Sequence, residues 1–263
     1  MTTPMKTSIF SHFRWLAVGL VSVVLLPFSC VPAKGAEIKS CVAVKAMEPR
    51  LPEGIQRAWG QPSKFWPQKS TVRVRFLTGT KRQKAEAWAR FQQIDALVNL
   101  KFAQVTTGPS EVRVRFDRGK GHWSYLGTDA RIVASSAQTM NLDLMAGVFG
   151  DGSDEWNRVA LHECLHAIGL SHELQHPNQV IPWNKEAVYS YYGATQGWTK
   201  EQIDFQILNR ATPRNDFKGS AFDPTSIMCY PVPAFLVTDA RFAVGWNNRF
   251  SEMDIKVLRL VYP

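Results

Sequence analysis

The stretch HECLHAIGLSHELQH, His162 to His176, holds four of the chain's six histidines. His162 and His166 are four residues apart, so on a helix they differ by about 40° around the axis and point the same way, one turn apart. Two imidazoles on one helix face can bind one zinc ion, and Glu163 beside them can reach a water that the metal holds. Gly169 predicts the end of that helix, because glycine takes the left-handed turn without strain. The chain then turns back, and His172 arrives as a third ligand. Three protein ligands leave a fourth position for water, the arrangement of a catalytic rather than a structural zinc site, with one Zn2+ per chain. At ordinary residue frequencies His-Glu-x-x-His-x-x-Gly-x-x-His arises by chance in about one sequence in 10⁵ of this length. Packed histidines on an ordinary helix are therefore a poor account of it.

The helix that must carry these residues begins near Ser153, an N-cap followed by Asp154 and Glu155 at the positive end of the dipole. On its other face Trp156, Ala160, Cys164 and Ala167 or Ile168 recur at three- and four-residue spacing. That is a core-facing stripe, and Cys164 reads as a small buried apolar residue rather than a ligand. Upstream, TVRVRFL (71–77) alternates and predicts a strand. Residues 81–100 predict a helix, with Trp88, Phe91, Ile94 or Asp95, and Val98 at helical spacing and Thr80 as N-cap. Residues 101–105, 111–116 and 139–145 read as further strands. Residues 36–64 show no period and read as a leader. Past residue 172 the pattern loosens until SEMDIKVLRLV closes the chain as a helix capped by Ser251.

The 263 residues suit one large domain or two small ones, and 45% hydrophobic content with nine tryptophans is ample for a core. Lys6 and Arg14, the uncharged stretch from Trp15 to Phe28, and Ala33 and Gly35 have the three-part layout of a secretory signal, with cleavage after Gly35. An uncleaved anchor fits less well, because the apolar stretch falls short of the roughly 20 residues that a span needs. Removing residues 1–35 takes the formal charge from +9 to +6, 28 basic against 22 acidic residues. That charge is dispersed, with no basic stripe interleaved with aromatics, which argues against a nucleic-acid partner. Cys41, Cys164 and Cys229 survive, an odd number that excludes a disulfide-stapled scaffold.

The extended motif from His162 to His172 resembles the metzincin zinc peptidases, whose motif is followed downstream by a methionine turn, and SIMCY (226–230) fits that turn. Glu173 after the third histidine is similar to the astacins. FDPTSIMCY (222–230), GHWSYLG (121–127), KFWPQKSTVRVRF (64–76) and FSEMDIKVLRLVY (250–262) also resemble astacin segments, so the resemblance spans roughly 64–262. It implies an α/β (α+β) catalytic domain in two parts. A twisted mixed sheet with two long helices lies above a cleft, and a mostly irregular C-terminal part with one closing helix lies below, with no accessory domain after it.

The resemblance also implies a zinc endopeptidase, and the signal segment makes it a secreted one, extracellular or periplasmic, not inserted in a membrane once the signal is removed; the sequence leaves the oligomeric state open, with a monomer expected. Glu163 is the general base, Tyr230 an extra displaceable ligand that supports the oxyanion, and Met228 packing beneath the metal. The strand 139–145 pairs with an extended peptide or protein substrate. Two other readings stay open: a zinc hydrolase of cell-wall peptides, and a zinc protein that binds peptides without cutting them. The chain departs from the astacin pattern where His176 replaces an arginine, Cys229 a histidine and His122 a cysteine, and where the charges after Pro177 are missing. His176 reads as a group behind the ligands or on the surface. The expected division is signal 1–35, leader 36–57 and catalytic domain 58–263. Cleavage at Arg57–Ala58 gives an ammonium that pairs with Glu173, and Cys41 in the leader is a candidate cap for the zinc, with an exposed thiol or a bond to Cys229 as the alternatives.

Overall fold

The structure, a computed structural model, describes residues 42–44, 62–143, 154–211 and 221–263. The signal segment, Cys41, the Arg57–Ala58 bond, Ser153, the side chain of Trp156 and residues 144–145 lie outside what it describes. Among the described residues six strands form one mixed sheet: β1 (Val42–Val44), β2 (Thr71–Phe76), β3 (Lys101–Gln104), β4 (Val112–Arg115), β5 (Trp123–Tyr125) and β6 (Met140–Asn141). Their order is β1-β5-β6-β4-β2-β3, parallel throughout except where β5 meets β6. The alternation of TVRVRF does what it predicts. Val72 and Val74 are fully buried, while Arg73 on the other face holds Glu111 through its main-chain N–H and its guanidinium.

Helix α1 (Lys81–Asp95) starts at the predicted cap, Thr80, whose side chain and that of Gln83 form a capping box. Ala87, Phe91 and Ile94 are its buried stripe. The helix stops short of residue 100 at Asp95, whose carboxylate instead accepts the N–H of Phe102 at 3.0 Å and orders the entry into β3.

One expectation is corrected. β6 cannot offer its edge to a peptide, because it lies inside the sheet with β4 on one side and β5 on the other. Beyond β6 comes β5, and β1 lies along β5 as the outermost strand in parallel register, Val42 opposite Trp123.

Helix α2 (Asp154–Ala167) carries the histidine motif and is buried on every side from Arg158 onward. Ala160, Cys164, Ala167 and Ile168 do face the core. The last carbonyls of a helix lack partners within it, and here side chains from both ends of the domain supply them. Trp66 Nε1 donates to Ala167 O at 2.8 Å, and Tyr262 Oη donates to Ile168 O at 2.6 Å. Gly169 then turns the chain at φ 100°, and a Cβ there would lie 2.8 Å from the Lys64 carbonyl oxygen. Gly127, at φ 46°, also closes on that carbonyl.

Beyond residue 172 the chain also forms α3 (Lys185–Gln196), capped by Asn184, and the short α4 (Lys200–Ile203) before α5 (Glu252–Val261) closes it from Ser251 as expected. The described residues bury two hydrophobic cores. One joins the sheet, α1, α2 and α5. The other gathers Leu174, Val188, Tyr192, Ile207, Val232 and Leu236 around α3. Met228 belongs to the first core, and Cys229 and Tyr230 belong to the second. The chain therefore passes between the cores within SIMCY.

Gly127→Ala places a Cβ 1.8 Å from Lys64 O and is expected to cost on the order of 3 kcal/mol of stability. Gly197→Ala, at φ 67° with no neighbour in reach, costs only the strain of the left-handed backbone, about 1 kcal/mol. Urea unfolding of both decides; equal losses refute the close-approach account.

Candidate active site

His162, His166 and His172 come together as the spacing predicts, each buried, with one nitrogen apiece lying within 4.8 Å of the others. Their orientation is set by the main chain. His162 Nδ1 lies 2.9 Å from Ile227 O and His166 Nδ1 lies 2.7 Å from Leu170 O. A carbonyl only accepts, so both Nδ1 atoms carry the hydrogen and both Nε2 atoms turn a bare lone pair inward. His166 Nε2 is 3.0 Å from His172 Nε2, and His162 Nε2 has no hydrogen-bond partner among the described residues. Burial holds all three imidazoles neutral, His166 down to about 4 and the other two well below the ordinary histidine value. Converging, neutral, buried imidazoles are the donor set that zinc takes.

Tyr230 is fully buried and its hydroxyl lies 2.7 Å from His172 Nε2. Its ring stacks on that of His162 at 5.5 Å between centroids. Glu163, one residue past the first histidine, is buried with them. Met228 packs in the core, and its carbonyl accepts the N–H of Glu173 at 2.9 Å, which fixes the turn after His172.

His176 stands apart from the cluster and is fully buried, not a surface group. Its Nδ1 accepts the N–H of Asn178 at 2.9 Å. His122 is buried at the start of β5, where its Nδ1 accepts the N–H of Asp143 at 3.1 Å. Cys164 and Cys229 are free, buried thiols, and burial raises both well above the usual thiol range, which leaves them inert. Sequence reasoning missed the carbonyls of Ile227 and Leu170 that aim the ligands, and the carboxylates of Asp223 and Asp254 behind them. A carbonyl has no side-chain signature. Asp254 was legible only as the fourth residue of Ser251-x-x-Asp254.

The model of the astacin peptidase family matches residues 58–263, and the chain belongs to that family. It is a zinc metallopeptidase. It resembles a solved structure of myroilysin at 35% identity and TM-score 0.71, over 76% of this chain and 96% of that one. A second myroilysin crystal structure gives 32% identity and TM-score 0.61, over 87% and 92%. High choriolytic enzyme 1, a hatching enzyme zinc-protease from the medaka fish Oryzias latipes, shares the fold at 16% identity and TM-score 0.53, over 79% and 98%. No curated protein matches. Among the described residues no helix is long and apolar enough to cross a membrane.

Glu173 supplies a pH signature. Burial pushes its carboxyl up to about 9, against the pull of the Asp223 N–H and with the charges of Asp254 and Asp223 adding to the rise. The folded chain thus holds this proton more tightly than the unfolded one, whose carboxyl titrates near 4.5. The stability it contributes is complete below 4.5 and drains as pH climbs towards about 9, at up to about 1.4 kcal/mol per pH unit. Glu173→Gln is expected to flatten that slope in urea unfolding between about pH 5 and 9. An unchanged slope refutes the assignment.

Proposed function

We propose that this chain is an exported endopeptidase acting on protein substrates, with His162, His166 and His172 holding zinc, Glu163 as general base and Tyr230 supporting the oxyanion. The observation that carries this reading is the convergence of three inward imidazole nitrogens with the Tyr230 hydroxyl 2.7 Å from one of them. Zinc in this cradle supplies Lewis-acid polarisation of the scissile carbonyl and a lowered pKa for the attacking water. Glu163 accepts the proton of that water and returns it to the leaving amine. The Tyr230 hydroxyl lets go of His172 and donates to the carbonyl oxygen as it gains negative charge. The outer edge of β5 orients an extended peptide through main-chain hydrogen bonds.

Export rests on the signal-like segment 1–35, and latency on the leader 36–57. Strand β1 of the leader lies parallel along β5, so it competes for the main-chain groups that a substrate needs. Cys41, directly before β1, is the candidate to occupy the zinc in the precursor. The family match beginning at residue 58 is in keeping with a catalytic domain 58–263 released by cleavage at Arg57–Ala58.

Glu163→Gln is expected to abolish hydrolysis of casein while zinc stays near one per chain, His166→Ala to lose both, and Tyr230→Phe to lower kcat by about 10- to 1,000-fold. Zinc loss in Glu163→Gln, or retained turnover, overturns the general-base role. Turnover of peptidoglycan but not casein favours a cell-wall hydrolase, and binding of either without turnover in the wild type favours a non-catalytic peptide binder.

For the leader, the uncleaved chain is expected to be silent on casein and the chain cleaved at Arg57 active. Cys41→Ser in the uncleaved chain restores activity if the thiol caps the zinc. A Cys41→Ser precursor as silent as the wild type ends the thiol cap, and an active wild-type precursor ends latency altogether.

A further inference from the structure

A ligand is only as well placed as the group that holds its second nitrogen. For His162 that group is the carbonyl of Ile227, 2.9 Å from Nδ1. Ile227 lies in a turn with no regular ladder of its own, so the turn must be held from outside. Asp254 of α5 holds it. The Ile227 N–H donates to Asp254 Oδ2 at 3.0 Å, and the Ser226 hydroxyl donates to Oδ1 at 2.6 Å. Ser226 Oγ in turn accepts the N–H of Met228 at 3.0 Å.

The same carboxylate closes the capping box of α5. Its Oδ2 also accepts the N–H of Ser251 at 2.9 Å, and Ser251 Oγ accepts the N–H of Asp254 at 2.9 Å. From there the bonds run on to the third ligand. The Ser251 hydroxyl donates to Asp223 Oδ2 at 2.6 Å, the Asp223 N–H donates to Glu173 Oε1 at 2.6 Å, and Glu173 directly follows His172.

Two other capping boxes lie among the described residues. Thr80 with Gln83 and Thr199 with Gln202 use a neutral glutamine and are exposed. Of the three, only the box of α5 uses an acid and buries it. Burial works against that carboxylate, raising its pKa despite the bonds from Ser226, Ile227 and Ser251. A cap alone needs neither the charge nor the burial, so the carboxylate has a second task.

We propose that Asp254 is a positioning residue of the metal site, holding the Ser226–Met228 turn so that the Ile227 carbonyl keeps the His162 imidazole turned with Nε2 inward. The proposal rests on the reading of the three histidines as zinc ligands.

The test is zinc affinity of the full-length chain by chelator competition, beside melting temperature. Asp254→Ala is expected to bind zinc about 10- to 100-fold more weakly. Asp254→Asn, which keeps an acceptor for Ile227 and Ser251, recovers most of that loss. Ser226→Ala removes one of the turn's two bonds to Asp254 and loses affinity by a smaller factor, which keeps the proposal testable if Asp254→Ala fails to fold. Thr80→Ala removes the cap of α1, lowers the melting temperature, and leaves zinc affinity unchanged. Wild-type affinity in the Ser226 and Asp254 variants overturns the proposal, as does an equal loss in Thr80→Ala. A wild-type chain that binds no zinc removes the zinc reading as well.

Discussion

The site depends on two hydrogen bonds from imidazole to main chain, His162 to Ile227 and His166 to Leu170. Each gives an Nδ1–H to a carbonyl and so commits the opposite nitrogen as a lone pair aimed inward. His166 Nε2 and His172 Nε2 lie 3.0 Å apart, and burial depresses all three histidine pKa values, so the cluster resists taking up a proton. A dication is the partner that such inward, neutral nitrogens suit. Because the carbonyl that aims His162 comes from a segment distant in the chain, metal binding contributes to folding as well as to chemistry.

That geometry requires segments distant in the chain to meet at fixed separations. The Leu170 carbonyl is where it is because Gly169 turns back at once. Gly169 makes that turn close against the Lys64 carbonyl, which Gly127 also approaches. The Lys64 ammonium is held by Asp129 at 2.5 Å, just past Gly127. Trp66 and Tyr262 take up the final carbonyls of α2 and so set the level at which the helix ends. The N-terminal segment, the sheet and the last helix therefore fix one turn of backbone, and that turn aims His166.

The catalytic motif was legible because its information is periodic. Two histidines four apart and a glycine three further on specify a helix face and its end whatever surrounds them. Caps were legible for the same local reason, and Thr80 and Ser251 both serve as read. The sheet edge was not. β5 and β6 run three and two residues, too short for alternation to assign, and 139–145 looked like an edge because hydrophobicity does not say which neighbour a strand has. Helix α3 was missed because few of its residues, Val188 and Tyr192 among them, are buried.

The carboxylates behind the metal site belong to the same physics as the imidazoles in front of it. Glu173 and Asp254 both sit where burial raises their pKa, the charge of Asp223 adds to the rise in each, and that of Asp254 makes ionisation of Glu173 harder still. Hydrogen bonds from Ser226, Ile227, Ser251 and Asp223 offset part of that cost and in doing so lock the turn between the two cores. Exchanging these acids for apolar residues would relieve the burial but release the turn, since an apolar side chain cannot accept the Ile227 N–H. Positional precision at His162 and the energetic burden at Asp254 are therefore one arrangement, and the domain keeps the second because it needs the first.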